Sequence, residues 1–250
     1  MSDDAPVLLR AQSGGVVTLT LNRPARHNAL NSALFAEIDA ACAMLEEAAD
    51  HVGCVVLRAD GRSFCAGADL EEIEQVAAVD TASRPRIVNR LAALPQIVVA
   101  QVQGLCVTGG LELALAADII AAGKKASFAD THGRFGLVAL WGMSQRLPRR
   151  IGLSQAKLMT ATARRIDANE AHRIGLADLL FEDDTLDAGV ADLANTIAGN
   201  SAHTNREMKR MLFATDGLSL EAGLNYELAH YPGRAPDYLD RIAAFTQRAR

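Results

Sequence analysis

The sequence predicts an α/β protein with a helical tail, on three observations. Short β-branched runs alternate with stretches of helical period through the first three quarters of the chain. From Asp187 onwards the strand signal fades and helical patterns alone remain. Half of the residues are apolar but only 4% are aromatic, so Ala, Leu and Val must build a core of closely packed helices rather than an aromatic-rich sandwich.

Residues 16–21 (VVTLTL) form a compact β-type run that ends at Asn22-Arg23-Pro24, where proline stops a strand. From Ser32, apolar residues recur at Leu34, Ile38, Ala41 and Leu45, the spacing of one helix face. Residues 52–57 and 97–102 are two further strand-type runs, and Ile119-Ile120 belongs to a fourth. Helical stretches begin near Asp69 and Gly109. In the tail, residues 193–197, 208–213, 220–228 and 238–245 read as short helices.

The bulk properties exclude several classes. A formal net charge of -5 argues against a nucleic-acid binder, which needs a basic surface. The acidic opening lacks the basic start and apolar run of a signal peptide, and no apolar stretch is long enough to span a bilayer. Cys42, Cys54, Cys65 and Cys106 form no Cys-x-x-Cys pair and no dense disulfide pattern, so reduced thiols and a cytoplasmic location are expected. No grouped His-carboxylate set of metal-ligand spacing occurs.

Two loops carry the chemistry. The first, Gly61-Arg62-Ser63-Phe64-Cys65-Ala66-Gly67-Ala68-Asp69-Leu70, leaves a strand and enters a helix. Its small residues let another backbone, or a ligand, approach the peptide N–H groups, and Glu72 follows Asp69 at capping-box spacing. The second runs from Gln103 through Leu105, Thr108, Gly109 and Gly110 to Glu112. Thr108 is expected to cap a helix whose first turn holds both glycines, where N–H groups lack intrahelical partners. Neither loop is a phosphate loop or a dinucleotide fingerprint, because the required lysine and glycine spacings are missing.

The ordered set Phe-Cys-Ala-Gly-Ala-Asp-Leu, Ile-Val-Val-Ala-Gln-Val-Gln-Gly, Gly-Gly-Leu-Glu-Leu-Ala and Ala-Asp-Ile resembles the crotonase superfamily, that is, enoyl-CoA hydratases and isomerases. Leu-Asn-Arg-Pro-x-x-x-Asn-Ala-Leu near the amino terminus and Gln-Arg-Leu-Pro-Arg-Arg-Ile-Gly at residues 145–152 fit the same family. The resemblance implies a spiral of ββα turns followed by an α-helical trimerisation region. Residues 1–190 would be the acyl-CoA-binding core, and residues 191–250 the oligomerisation region of a trimer or dimer of trimers. It also implies that the N–H groups of Ala68 and Gly109 hold a thioester oxygen. Ala66, Asp69 and Leu70 would line the acyl-CoA channel, with Ala29, Gly67, Leu105 and Gly110 as neighbouring substrate-binding positions. Arg suits bidentate phosphate contacts, so Arg23 and Arg26 are candidates for the phosphates of CoA. CoA arrives as part of the substrate, and no separate cofactor is expected.

The acid/base pair departs from the family pattern. Hydratases of the best-known type use two glutamates; the first maps to Glu112, and the position of the second holds His132. A histidine titrates near pH about 6.5 and can perform the same work. Asp130, two residues earlier, is a reserve carboxylate. The family's Gly-Leu-x-Pro is also altered, to Gly136-Leu137-Val138-Ala139, and Trp141, the only tryptophan, either shapes the acyl pocket or fills core. Three functions stay open: hydration of a 2-enoyl-CoA, double-bond isomerisation on Glu112 alone, and acyl-CoA binding without catalysis.

Overall fold

The computed structural model describes residues 5–75 and 82–248. Strand β1 (Leu8–Ser13) pairs antiparallel with β2 (Val16–Leu21), and the chain then enters α1 (Ser32–Glu47). Asn31 accepts a hydrogen bond from the Leu34 N–H, which caps α1, and Leu34, Phe35, Ile38, Ala41, Cys42 and Leu45 form its buried face. Next come β3 (Cys54–Ala59), α2 (Leu70–Gln75), α3 (Ser83–Ala92), β4 (Ile97–Val102), β5 (Leu105–Val107) and α4 (Gly109–Ala114). They are followed by β6 (Ile119–Gly123), β7 (Ser127–Ala129), α5 (Met143–Ile151), α6 (Leu153–Thr162), β8 (Ile166–Asp167), α7 (Ala168–Arg173) and β9 (Leu179–Phe181). The tail consists of α8 (Leu186–Gly199), α9 (Ala202–Thr215), α10 (Leu220–Ala229) and α11 (Tyr238–Arg248).

The strands make two sheets. A six-stranded sheet runs in the order β1-β2-β3-β4-β6-β9, with every pair after the first parallel. A three-stranded sheet has the order β5-β7-β8. Successive passes of the chain therefore place one strand in the large sheet, a second in the small sheet and then a helix or helical turn, which is a spiral of ββα turns. β4 and β6 are buried almost throughout, as parallel strands covered on both faces must be.

Gly104 makes the corner between β4 and β5. Its φ is +56°, and a Cβ on it would lie 1.9 Å from the Arg62 carbonyl oxygen, so only glycine fits. That close approach brings the second pass against the first. The Phe64 N–H donates to the Gln103 carbonyl, and Cys65 bridges Cys106 in parallel register.

Several local expectations are corrected. β1 was not legible, since LLRAQS shows no clear alternation and its residues after Leu8 are exposed. Thr108 stands at the start of α4, but its hydroxyl does not cap the helix; it pairs with the Thr131 hydroxyl. Glu72 does not complete a capping box with Asp69. Its carboxylate accepts from the Ser32 N–H at 2.9 Å and from Arg84 at 2.9 Å, which ties α2 to the start of α1 and to α3. The tail helix expected at residues 193–197 is the much longer α8. Leu186, Val190, Ala194 and Ile197 pack with Val16, Cys54, Val56, Val99 and Ala121 on one face of the large sheet. The division expected near residue 190 falls inside this helix.

Gly104→Ala should destabilise the chain by roughly 2 kcal/mol or more, the range for enforced strain and backbone collision. Urea unfolding followed by circular dichroism measures it, and a midpoint equal to that of the wild type would remove Gly104 from its proposed role.

Candidate active site

Three consecutive passes of the spiral converge on one place. The first supplies Ala68. Its neighbours pair with the segment before α1: the Leu30 N–H donates to the Gly67 carbonyl at 2.8 Å, and the Asp69 N–H donates to the Leu30 carbonyl at 3.0 Å. In a parallel bridge of this kind the residue between those bonds turns its own N–H to the opposite side. Among the described residues the Ala68 N–H has no protein acceptor.

The second pass supplies Gly109, the first residue of α4, whose N–H likewise lacks an intrahelical acceptor. Thr108, just before it, has φ +55°, which is costly for a β-branched residue. The Thr108 N–H donates to the Ala129 carbonyl at 2.9 Å, and its hydroxyl meets that of Thr131, so the third pass holds the turn in place. The two loops abut tightly. A Cβ on Gly67, whose φ is +101°, would lie 3.4 Å from the Gly109 nitrogen, and one on Gly110 would lie 2.4 Å from the Cys65 carbonyl oxygen.

Glu112 follows Gly109 by three residues, so it shares the helix face that carries the free N–H. Its side chain is 1% exposed. Oε1 accepts from the Trp141 N–H at 2.7 Å and from the Met143 N–H at 3.1 Å, which leaves Oε2 for chemistry. Burial pushes the Glu112 carboxyl above the usual carboxylate range. The Met143 N–H, the nearby His132 and the Trp141 N–H pull it back, while Asp130 adds to the rise.

The third pass supplies His132, at the start of a helical turn after β7. His132 Nε2 lies 3.6 Å from Glu112 Oε2, and His132 Nδ1 lies 2.6 Å from Asp130 Oδ1. At 3.6 Å the first pair is not hydrogen-bonded. Trp141 braces the arrangement from outside: a Cβ on Gly109 would lie 2.4 Å from its ring, which also packs edge-on against Phe35 at 5.1 Å. Its backbone N–H holds Glu112, so its packing and site roles coincide.

The remaining sequence candidates are more dispersed. Ala66 and Ala29 are half-buried beside the first loop; the Ala66 N–H donates to the His27 carbonyl, and the Ala29 carbonyl accepts from Arg23. Leu105 opens β5 and is half-buried, whereas Leu70 is 51% exposed at the start of α2. Arg23 is committed internally, 2.9 Å from the carboxylate of Asp69. Arg26 pairs with Glu71 at the surface, at 2.6 Å. The sequence reading missed the backbone N–H groups of Trp141 and Met143, because a main-chain donor has no residue-type signal. It also missed the pinning role of Asn28. This fully buried side chain accepts from the Arg23 N–H and donates to the carbonyls of Asp60 and Ser63.

Two free N–H groups beside a buried carboxylate, here on a crotonase-type spiral, are an arrangement that can stabilise an oxyanion next to an acid/base group. The family model described as enoyl-CoA hydratase/isomerase matches residues 11–232, and the chain belongs to this family. A probable peroxisomal enoyl-CoA hydratase of Arabidopsis thaliana is 32% identical, covering 96% of this chain and 92% of its own length. The 1,2-epoxyphenylacetyl-CoA isomerase of Escherichia coli is 31% identical, covering 92% of each. Among solved structures, an enoyl-CoA hydratase from Bacillus anthracis superposes with a TM-score of 0.89 at 30% identity, covering 97% of this chain and 96% of that one.

Two predictions follow from this geometry. The raised Glu112 pKa means that folding favours its protonated form. The associated stability is present below the ordinary carboxylate range and is lost as the pH rises through the raised value. Glu112→Gln should therefore raise the melting midpoint at neutral pH, by about 2–4 °C if the gain is roughly 1 kcal/mol, and the difference should vanish in acid. A lower midpoint at neutral pH would contradict this. Gly109→Ala should displace the Trp141 ring, red-shift the emission of this single tryptophan and cut turnover by about 10²-fold, as small misplacements do. An unchanged emission spectrum would show that the ring does not rest on Gly109.

Proposed function

We propose that this chain hydrates a 2-enoyl-CoA thioester, with water oxygen adding to C3 and a proton to C2. The observation that carries this reading is the placement of Glu112 Oε2 and His132 Nε2, 3.6 Å apart but unbonded, beside the two free N–H groups. Attack at C3 moves charge onto the thioester oxygen, where the Ala68 and Gly109 N–H groups stabilise it more than they stabilise the neutral ground state. Ionised Glu112 takes the proton from water, and protonated His132 gives its proton to C2. One proton shared by the pair supplies both the base and the acid. Coenzyme A enters with the substrate, and this reaction calls on no other cofactor. Arg26, 55% exposed, is the better candidate for the CoA phosphates because Arg23 is held inside.

Isomerisation is the second reading, supported by the E. coli isomerase among the relatives and by the fact that Glu112 alone can shuttle one proton. Incubation with crotonyl-CoA and longer enoyl-CoAs, with products resolved by mass, separates the two: hydration adds one water and isomerisation adds nothing. His132→Gln should cut hydration by about 10²-fold or more, Glu112→Gln at least as much, and the double variant little further. The acid limb of kcat/KM should lie above the ordinary glutamate value of about 4.3, because the raised Glu112 must ionise. Full hydration by His132→Gln would overturn the two-group mechanism.

We also propose a homo-oligomer, a trimer or a dimer of trimers. No residue of α10 is buried against the rest of the chain, and Leu212, Phe213, Leu220, Leu228 and Phe245 are between 66% and 81% exposed. A groove of about 660 Å³ opens among α9, α10 and α11. Exposed apolar area on this scale marks an interface. Light scattering should give three or six times the 26.6 kDa chain mass, and a monomer at micromolar concentration would contradict it. Among the described residues no helix is long and apolar enough to cross a membrane. The four buried, unpaired cysteines favour a reducing compartment, and we assign the chain to the cytoplasm.

A further inference from the structure

One buried carboxylate beside the site takes no part in the mechanism above. Asp130 is 4% exposed and follows directly from β7. Its Oδ1 meets His132 twice, at Nδ1 (2.6 Å) and at the backbone nitrogen (3.2 Å). A carboxylate accepts only, so Nδ1 must carry a hydrogen. The opposite ring nitrogen, Nε2, is then the one that gains or loses the working proton, and it is the one that faces Glu112 Oε2.

We propose that Asp130 is a positioning residue that locks the ring plane and tautomer of His132, so that proton transfer to the substrate runs through Nε2. The proposal rests on the hydratase reading and deepens it. The backbone contact at 3.2 Å suits a plain turn-shaping role, but the shorter bond to Nδ1 has no use in shaping a turn. The ring also has few other means of orientation. Asp130 and Glu112 are the side chains that meet its nitrogens among the described residues, and Glu112 stands beyond hydrogen-bonding distance.

Asp130→Asn separates the two roles. It keeps an oxygen for the His132 backbone N–H at similar size, but it can present its NH₂ to Nδ1 and so favour the wrong tautomer. With crotonyl-CoA as the probe, kcat should fall by about 10²-fold or more while KM changes by less than about threefold, as expected for a loss confined to the transition state. Added to His132→Gln, Asp130→Asn should cause little further loss at a pH where Glu112 is ionised, because its other influence, raising the Glu112 pKa, then leaves the rate unchanged. A second readout needs no turnover and no Asp130 variant. In ¹⁵N-histidine-labelled wild-type protein, with the His132 signals assigned by their loss in His132→Gln, neutral His132 should carry its hydrogen on Nδ1.

A neutral His132 protonated at Nε2, an Asp130→Asn enzyme with wild-type kcat, or an undiminished loss in the His132→Gln background would each overturn the proposal. If His132→Gln is impaired while Asp130→Asn is not, this inference alone falls. If His132→Gln hydrates at the wild-type rate, the two-group mechanism falls and takes the positioning role with it.

Discussion

The site depends on one buried carboxylate held by backbone. Placing Glu112 out of water is unfavourable for its ionised form, and a lone charge there would simply take up a proton. The turn leading into α5 offsets part of that cost by aiming the N–H groups of Trp141 and Met143 at one oxygen. The turn is held in its own right. Gly142 adopts φ +113°, and Arg146 donates to the Trp141 carbonyl at 2.8 Å and to Asn89 on α3 at 2.7 Å. Because the same turn places the Trp141 ring against Gly109, the orientation of the carboxylate and the position of the free Gly109 N–H are mechanically one feature.

The spiral makes such convergence possible with very short elements. α4 has only six residues, and β5 and β7 have three each, so none would be stable alone. Each gains its position from neighbours one pass away: Cys65 pairs with Leu105 and Val107, Thr108 with Ala129, and Ser127 with Gly104. Free N–H groups arise where this pairing ends. The donors are therefore preorganised by long-range backbone bonds rather than by side chains, and in the proposed reaction they would need no reorganisation when charge develops on the thioester oxygen.

The periodic elements were the legible ones. α1 shows its buried face at Leu34, Ile38, Ala41 and Leu45 because its period is long enough to read, and β4 matches its apolar run residue for residue. β1, β5, β7 and β9 were not legible, since three to six residues of an edge strand or a small sheet carry too little pattern. At the site, Glu112 and His132 were legible through the family resemblance, which maps the acid/base pair onto them, and Asp130 only as a nearby reserve carboxylate. Arg23 read as a candidate for the CoA phosphates because its partner, Asp69, lies 46 residues away, a separation at which charge pairing leaves no local signature. The grip of two peptide groups on Glu112 was invisible because a main-chain donor carries no residue-type signal.

In the proposed hydration, Glu112 and His132 act together from one side of a bound enoyl thioester. Two groups whose working atoms lie 3.6 Å apart can serve only one face of the double bond, so both halves of water must arrive on that face. Hydration of crotonyl-CoA in ²H₂O, with the configuration at C2 and C3 of the product read by NMR, measures this directly. The account predicts one diastereomer, with deuterium and hydroxyl added syn. Anti addition, or an equal mixture at C2, would contradict it.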